Sequence, residues 1–352
     1  MNATHPQNNF DFLRFVAATM VWYEHCFALY DHSGDPLSLA LGYESFGGLG
    51  VAMFFIISGY FVTLSYLHHN RLGTYIKNRA LRILPALIVA VLFSVFVLGP
   101  LVTSLSVRSY FSDTATWNYL KCMLILPVQY DLPGVFTHLA SPHVNGSLWT
   151  LQHELRCYVA VGVLGVLGIL RPRLMIIVFV TLWAAIMYGV FANDLGHLPH
   201  IAIFSRWSWG KMQMSVELAT LFASGAVLYG ARDLIPLKFS GFIVALLVLA
   251  ASYGIKVAGY SPILSRLVFD LAFPYIVIYL GFLRLPLLSH FGRFGDFSYG
   301  LYLYAFPLQN LTLFMFPHIG FHYFMGLSFA MSLAAGVLSW HLVEKPMLGY
   351  KR

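Results

Sequence analysis

The chain has 352 residues, of which 59% are hydrophobic and only 10% are Asp, Glu, Lys or Arg. With a mean hydropathy of +0.73, it is excluded from the ordinary soluble domains, where about a quarter of residues are charged, and reads as an all-α polytopic membrane protein. The formal charge of +7 reflects Lys and Arg gathering on the cytoplasmic side of a membrane, and no nucleic-acid partner is expected.

Apolar runs long enough for the roughly 20 residues a bilayer requires occur near 10–30, 46–67, 82–103, 147–170, 173–192, 213–231, 238–257, 263–284, 297–317 and 321–343. They predict ten spans and one membrane-embedded domain covering 1–352. The N-terminal stretch MNATHPQN lacks the basic, apolar, small-residue order of a cleavable signal, so the first span is expected to remain in the mature protein. If the N-terminus lies inside, thirteen Lys and Arg fall in inside segments and five in outside segments, which assigns both termini to the cytoplasm. Cys26, Cys122 and Cys157 are odd in number and lack paired spacing, so neither a disulfide framework nor a metal site is expected.

The first span, FDFLRFVAATMVWYEHCFALY, carries Arg14, Glu24 and His25 in a bilayer-length run, and ionisable groups inside a span are costly enough to suggest function. Arg14 and His25 lie eleven residues apart, three helical turns, hence on nearly one face and about 16 Å apart along the axis. The competing reading, a snorkelling arginine and a hydrogen-bonded interior histidine, stays open on this span alone. In the second span, FFIISGYF holds a Ser-Gly pair that lets a helix or ligand approach the backbone closely. The loop HHNRLGTYIKNRALRILP follows, with Arg79 and Arg82 three apart and so neighbours on a helix face. These are either topological charges or a site for a phosphorylated ligand arriving from the cytoplasm.

The segment 104–146 is too long for a simple connection and is expected to belong to the acceptor side; within it, YLKCMLILPVQY reads as an interfacial or re-entrant piece. The fourth span opens NGSLWTLQHELRCYVAVGVLG. Counting from the outer ends, Glu154 lies roughly 10 Å and His25 roughly 8 Å below the outer surface, so the two could pair if their helices are neighbours. Glu24 and His153 are the local competitors, and an ion pair of Glu154 with Arg156 is the structural alternative. The Trp-rich FSRWSWGKMQMS fits an aromatic belt at the interface. Together these residues describe a corridor, with Arg14, Arg79 and Arg82 at the cytoplasmic mouth and His25 and Glu154 toward the outer side. Coenzyme A, anionic at one end with a thin arm ending in a thioester, has the matching shape.

On these motifs the chain resembles the acyltransferase-3 family of integral membrane acyltransferases. The resemblance rests on Arg14 and His25, FFIISGY at 54–60, Arg79 and Arg82 in RALRILP, SLWTLQHE at 147–154, FSYGLYLYAFP at 297–307 and EKP at 344–346. It implies ten spans with cytoplasmic termini and O-acylation, usually acetylation, of carbohydrates outside the cytoplasm. It further implies that His25 and Arg14 are an essential pair, that Arg79 and Arg82 serve the acyl donor, and that Glu154 is a functional acid. Two departures stand out: Ala305 occupies a position where members often carry His, and no hydrolase-like domain follows the spans.

The expected activity is therefore acyl-CoA-dependent O-acyl transfer, most often of acetyl, to a polysaccharide or glycolipid at a bacterial inner membrane. No cofactor is held tightly, and acetyl-CoA or another acyl-CoA is a co-substrate. The expected partners are that donor, a surface polysaccharide or lipid-linked glycan and the bilayer, with a homo-oligomer left open. The alternative is a transporter or flippase for such a glycan, although no internal repeat supports it. A serine acyl-enzyme is disfavoured because no G-x-S-x-G turn occurs.

Overall fold

The structure, a computed structural model, describes residues 8–31, 33–41, 45–125, 128–194, 209–258 and 263–351. The described residues form ten helices of 18 residues or more, joined by short helices and turns: α1 (Phe10–Tyr30), α2 (Phe46–His69), α3 (Leu72–Phe93), α4 (Trp149–Val166), α5 (Pro172–Asp194), α6 (Trp209–Gly230), α7 (Phe239–Val257), α8 (Ile263–Phe282), α9 (Ser298–Met315) and α10 (Phe321–Ser339). Helix α3 runs on through a π-turn at Ser94–Leu98 and the short helix Gly99–Val102, and α10 through a π-turn at Trp340–Glu344 and the helix Lys345–Leu348.

The chain is an all-α, multi-spanning membrane protein. At least five stretches are long and apolar enough to cross a bilayer: Phe46–His69, Leu72–Val102, Phe239–Val257, Leu264–Phe282 and Phe321–Leu348. Helix α7 buries only Ser252 and presents apolar side chains over most of its surface, as expected of a helix solvated by lipid. The third helix begins at Leu72, ten residues before the apolar run expected at 82. Its first turns are helical but polar, so a count of apolar residues passes over them.

Helix α2 is the axis of the fold, packing on α1, α4 and α6. A Cβ at Gly59 would strike the carbonyl of Phe222, and one at Gly225 the carbonyl of Ile56, so α2 and α6 touch backbone to backbone. This is the close approach that small residues permit where lipid supplies no hydrophobic drive between helices. Ser45 caps α2 by accepting from Gly48 N at 2.9 Å, and Asn70 ends it in the left-handed region at φ 47, a conformation Asn tolerates better than most residues.

Polar side chains lock the other helices around this axis. Gln309 on α9 donates to the Trp22 carbonyl of α1 at 2.9 Å. Tyr299 reaches the Ile83 carbonyl of α3 at 3.0 Å, and Asn145 donates to the Leu303 carbonyl at 2.8 Å. Arg266 of α8 lies 3.5 Å from Glu217 of α6 and 3.4 Å from Asp270, a second intramembrane charge group remote from the first-helix arginine. Cys26, Cys122 and Cys157 are free and buried.

Within 104–146 the chain forms the short helices Val107–Ser112 and Thr114–Tyr119 and a 3₁₀ turn at Leu120–Leu124. It folds back along α3, and Ile125 lines an apolar groove with Leu84 and Leu155. Residues 126 and 127 of YLKCMLILPVQY lie outside the described residues, as do residues 204–208 of the Trp-rich segment.

Candidate active site

The three arginines of the sequence reading converge. Arg79 and Arg82 stand one turn apart on α3 and face Arg14 of α1 across two connected spaces. An inner cavity of about 100 Å³ is lined by Arg14, Arg79 and Arg82 together with Ser58, Glu154 and Tyr302. A vestibule of about 700 Å³ shares Arg14, Phe61, Arg79 and Arg82 with it and opens past Asp11, Arg293 and Lys351. That vestibule is of the size that holds small-molecule ligands, roughly 300–1,000 Å³.

The arginines differ in how they are held. Arg82 Nη2 donates to Asp296 Oδ2 at 2.5 Å, and Arg82 Nη1 lies 3.8 Å from Glu344 Oε2. Arg14 Nη1 donates to Asp11 at 3.1 Å and lies 3.9 Å from Asp296, with its guanidinium over the Phe61 ring. Asp296 sits in the connection before α9 and also accepts from the Ser298 hydroxyl. Burial pushes its carboxyl up, but Arg82, Arg14 and the Ser298 bond outweigh that and hold it below the usual carboxylate range. Arg79 has no ion-pair partner among the described residues; it lies over the Tyr158 ring at 5.7 Å, and its Nε is buried without a hydrogen-bond partner. It is the guanidinium of the three left open for an anionic ligand.

Glu154 belongs to this cationic cavity. Its Oε1 accepts from Ser58 Oγ at 3.0 Å and from Tyr158 Oη at 2.5 Å. The Ser-Gly pair of α2 thus has two jobs, Ser58 bonding Glu154 on α4 and Gly59 admitting α6. Arg156 is exposed and makes no ion pair with Glu154 among the described residues.

His25 lies elsewhere, and its expected pairing with Glu154 does not occur. Helix α2 packs against both α1 and α4 and supplies Glu154's partner itself, so the imidazole and the carboxylate are served from different sides. The His25 ring instead meets Phe306 edge-on, with centroids 5.2 Å apart at 84°, and its Nδ1 is buried without a hydrogen-bond partner among the described residues. Tyr302, one turn before Phe306 on α9, closes the inner cavity, donating to the Ser147 carbonyl at 2.9 Å and lying 2.6 Å from Thr150 Oγ1. The cavity therefore ends about one helical turn short of the imidazole. Of the competitors, Glu24 packs against Gly47 in the first turn of α2, and His153 is buried edge-on to Trp149 at 5.7 Å. Ala305 packs with Trp22, Cys26 and Phe324 in an apolar cluster.

Several side chains of this site escaped the sequence reading. Asp296 lies in a loop, where nothing in the sequence marks it as the counter-ion of two helices. Tyr158 is hidden among 21 tyrosines, whereas Tyr299 and Tyr302 lie within FSYGLYLYAFP, a motif that does not say which neighbours they face. Glu344 was visible within EKP, and its partner Arg82 gives that motif a role.

Comparison with known proteins identifies the family. The model of the acyltransferase domain family Acyl_transf_3 matches residues 7–341. An O-acetyl transferase of Shigella phage Sf6 is 32% identical over 345 residues, covering 98% of this chain and 97% of the relative. Nodulation protein 10 of Rhizobium leguminosarum bv. viciae is 28% identical over 361 residues, covering 97% and 93%. No solved structure matches the chain. A family match that takes in α1 through α10, and with them every arginine of the site, makes this chain a member of the acyltransferase-3 family.

Proposed function

We propose that the protein is an acyl-CoA-dependent O-acetyltransferase of a bacterial inner membrane, acting on a polysaccharide or glycolipid outside the cytoplasm. In this reading the ten long helices are ten spans with both termini in the cytoplasm, so the vestibule opens to the cytoplasm and His25 lies toward the outer side. The observation that carries it is the continuity of vestibule and inner cavity through Arg14, Arg79 and Arg82. It offers a cationic mouth for phosphates leading into a narrow channel for an acyl-bearing arm. The phage relative's description as an O-acetyl transferase supports acetyl as the group moved. Membership in an acyltransferase family leaves no observation in favour of the transporter alternative.

The parts divide by chemistry. Arg79 takes donor phosphate as a charge-assisted contact, while Arg82 and Arg14, braced by Asp296, shape the mouth. Glu154 acts through others, fixing Ser58 and Tyr158 and, through the Tyr158 ring, Arg79. His25 is the general base that removes the proton from the acceptor hydroxyl as the hydroxyl oxygen attacks the thioester carbonyl. The C–O bond forms, the C–S bond breaks, and the thiolate of coenzyme A leaves and is protonated from solvent. The cavity stops short of His25, so the turn Tyr302–Phe306 must shift for donor and acceptor to meet there.

The test is acyl transfer by the purified protein in lipid, given acetyl-CoA and acceptor glycan, with mass spectrometry of the glycan. The expected result is loss of acetyl-CoA matched by an acetyl increment on the glycan. Glycan movement without ester formation would overturn the reading.

A further inference from the structure

The segment after α10 curls back, with Gly349 N donating to the Lys345 carbonyl at 3.2 Å and Lys351 N to the Leu348 carbonyl at 3.1 Å. This turn carries the half-buried Lys351 into the vestibule wall, alongside Arg14, Arg79 and Arg82. The charged groups around this space are Asp11 and Arg14 from α1, Arg79 and Arg82 from α3, His290, Arg293 and Asp296 from the α8–α9 connection, and Glu344 from the end of α10. Asp296 is shared by Arg82 and Arg14, and Glu344 lies against Arg82. Among the described residues no acid is dedicated to Lys351. An amine brought among three guanidinium groups without its own counter-ion is unfavourable unless an anion arrives to join them.

Resting on the donor reading above, we propose that Lys351 is a donor-binding residue, the fourth cation around the phosphates of the acyl-CoA in the vestibule. Lys351 is outside the spans, and its amine is pushed down to about 7 by burial first and then by Arg79, Arg82 and Arg14. A phosphate beside it raises that value, so binding draws a proton onto the amine. The sign follows: affinity for the donor is fully present below about pH 7 and falls as pH rises from there through the higher value in the complex.

The experiment is equilibrium binding of coenzyme A to the full-length protein in phosphatidylcholine nanodiscs, between about pH 6.5 and 8.5, for the wild type, Lys351→Met and Lys351→Arg. Thermal midpoints serve as the folding control. Wild-type affinity is expected to fall with rising pH. Lys351→Met should bind about 10- to 100-fold more weakly at the low end and lose the slope. Lys351→Arg, charged throughout, should bind well with a flat profile. Wild-type affinity and slope in folded Lys351→Met would overturn the role of Lys351 and leave the donor reading standing. Absence of coenzyme A binding by the wild type at every pH would overturn the donor reading itself, and this proposal with it.

Discussion

The ring of Phe306 meets the imidazole of His25 edge-on, with centroids 5.2 Å apart and planes at 84°. Since His25 Nδ1 has no hydrogen-bond partner among the described residues, packing rather than a carboxylate orients this histidine. Phe306 is also the turn of α9 that lies between the imidazole and Tyr302 at the end of the inner cavity, and Pro307 follows it inside the helix. A proline there removes a backbone hydrogen bond and makes this the segment of α9 best able to yield.

Replacing Phe306 by Leu keeps the volume apolar but removes the aromatic edge, an interaction of about 0.5–1.5 kcal/mol. Turnover is expected to fall up to about tenfold while coenzyme A affinity stays unchanged, because Phe306 does not line the vestibule. Steady-state kinetics beside equilibrium donor binding would check it; a loss of donor affinity equal to the loss of turnover would show that Phe306 supports the cavity instead.

The arginines of α3 should separate by phenotype. Arg82→Ala strands Asp296 and Glu344, and breaking a buried pair costs about 3–5 kcal/mol, toward the low end here because the Arg82 side chain is 21% exposed. Membrane yield and thermal midpoint are expected to drop. Arg79→Ala strands no carboxylate, so its midpoint should hold while coenzyme A binding weakens about 10- to 100-fold. Equal destabilisation by the two substitutions would contradict this division.

Much of the helical framework was readable because lipid imposes long apolar runs: the stretch at 10–30 became Phe10–Tyr30, and that at 46–67 became Phe46–His69. The convergence of Arg14, Arg79 and Arg82 was readable too, since charges in apolar surroundings are conspicuous. The partner of Glu154 was not. Depth along a helix can be counted from the sequence, but which neighbour a side chain faces depends on helix order around the bundle. Here α2 comes between α1 and α4 and supplies Ser58. Asp296 was hidden for a related reason, since an acid in a connecting loop carries no periodicity to reveal which helices it braces.

Gly59 gives a prediction on stability alone. A Cβ there would meet the Phe222 carbonyl, a backbone atom that no rotamer change can move aside. Gly59→Ala should therefore separate α2 from α6 and cost about 1–3 kcal/mol as overpacking, lowering the thermal midpoint. Gly254→Ala, where a Cβ meets nothing within 4 Å, is the control, and a similar loss in both would show that the α2–α6 contact is not what Gly59 protects.

Glu154→Gln tests whether negative charge is needed in the cavity. The Gln carbonyl oxygen can accept from both Ser58 and Tyr158 as Oε1 now does, so the fold should stand. What is lost is the charge facing the arginines, which should lower turnover with little change in thermal midpoint. Loss of folded protein would instead make Glu154 a structural counter-ion. Glu24→Gln is the comparison; a larger loss of turnover there would move the role to Glu24 of α1.

The mechanism turns on His25. A sugar hydroxyl is a poor nucleophile near neutral pH, and a positioned base typically contributes about 10²–10⁴-fold. His25→Ala should therefore reduce acetyl transfer by that order, while coenzyme A binding at Arg14, Arg79 and Arg82 stays intact, because the imidazole lines neither the inner cavity nor the vestibule. His25→Gln separates basicity from packing: it can hydrogen-bond but cannot take a proton, so it should be as inactive as the alanine variant. Direct attack on the thioester also predicts that acetyl-CoA alone leaves no label on the protein. Mass spectrometry after incubation with labelled acetyl-CoA and no acceptor would check this. Label trapped on His25 would replace direct transfer by a two-step route through an acyl-histidine, and near-normal turnover in His25→Gln would remove the base from the mechanism.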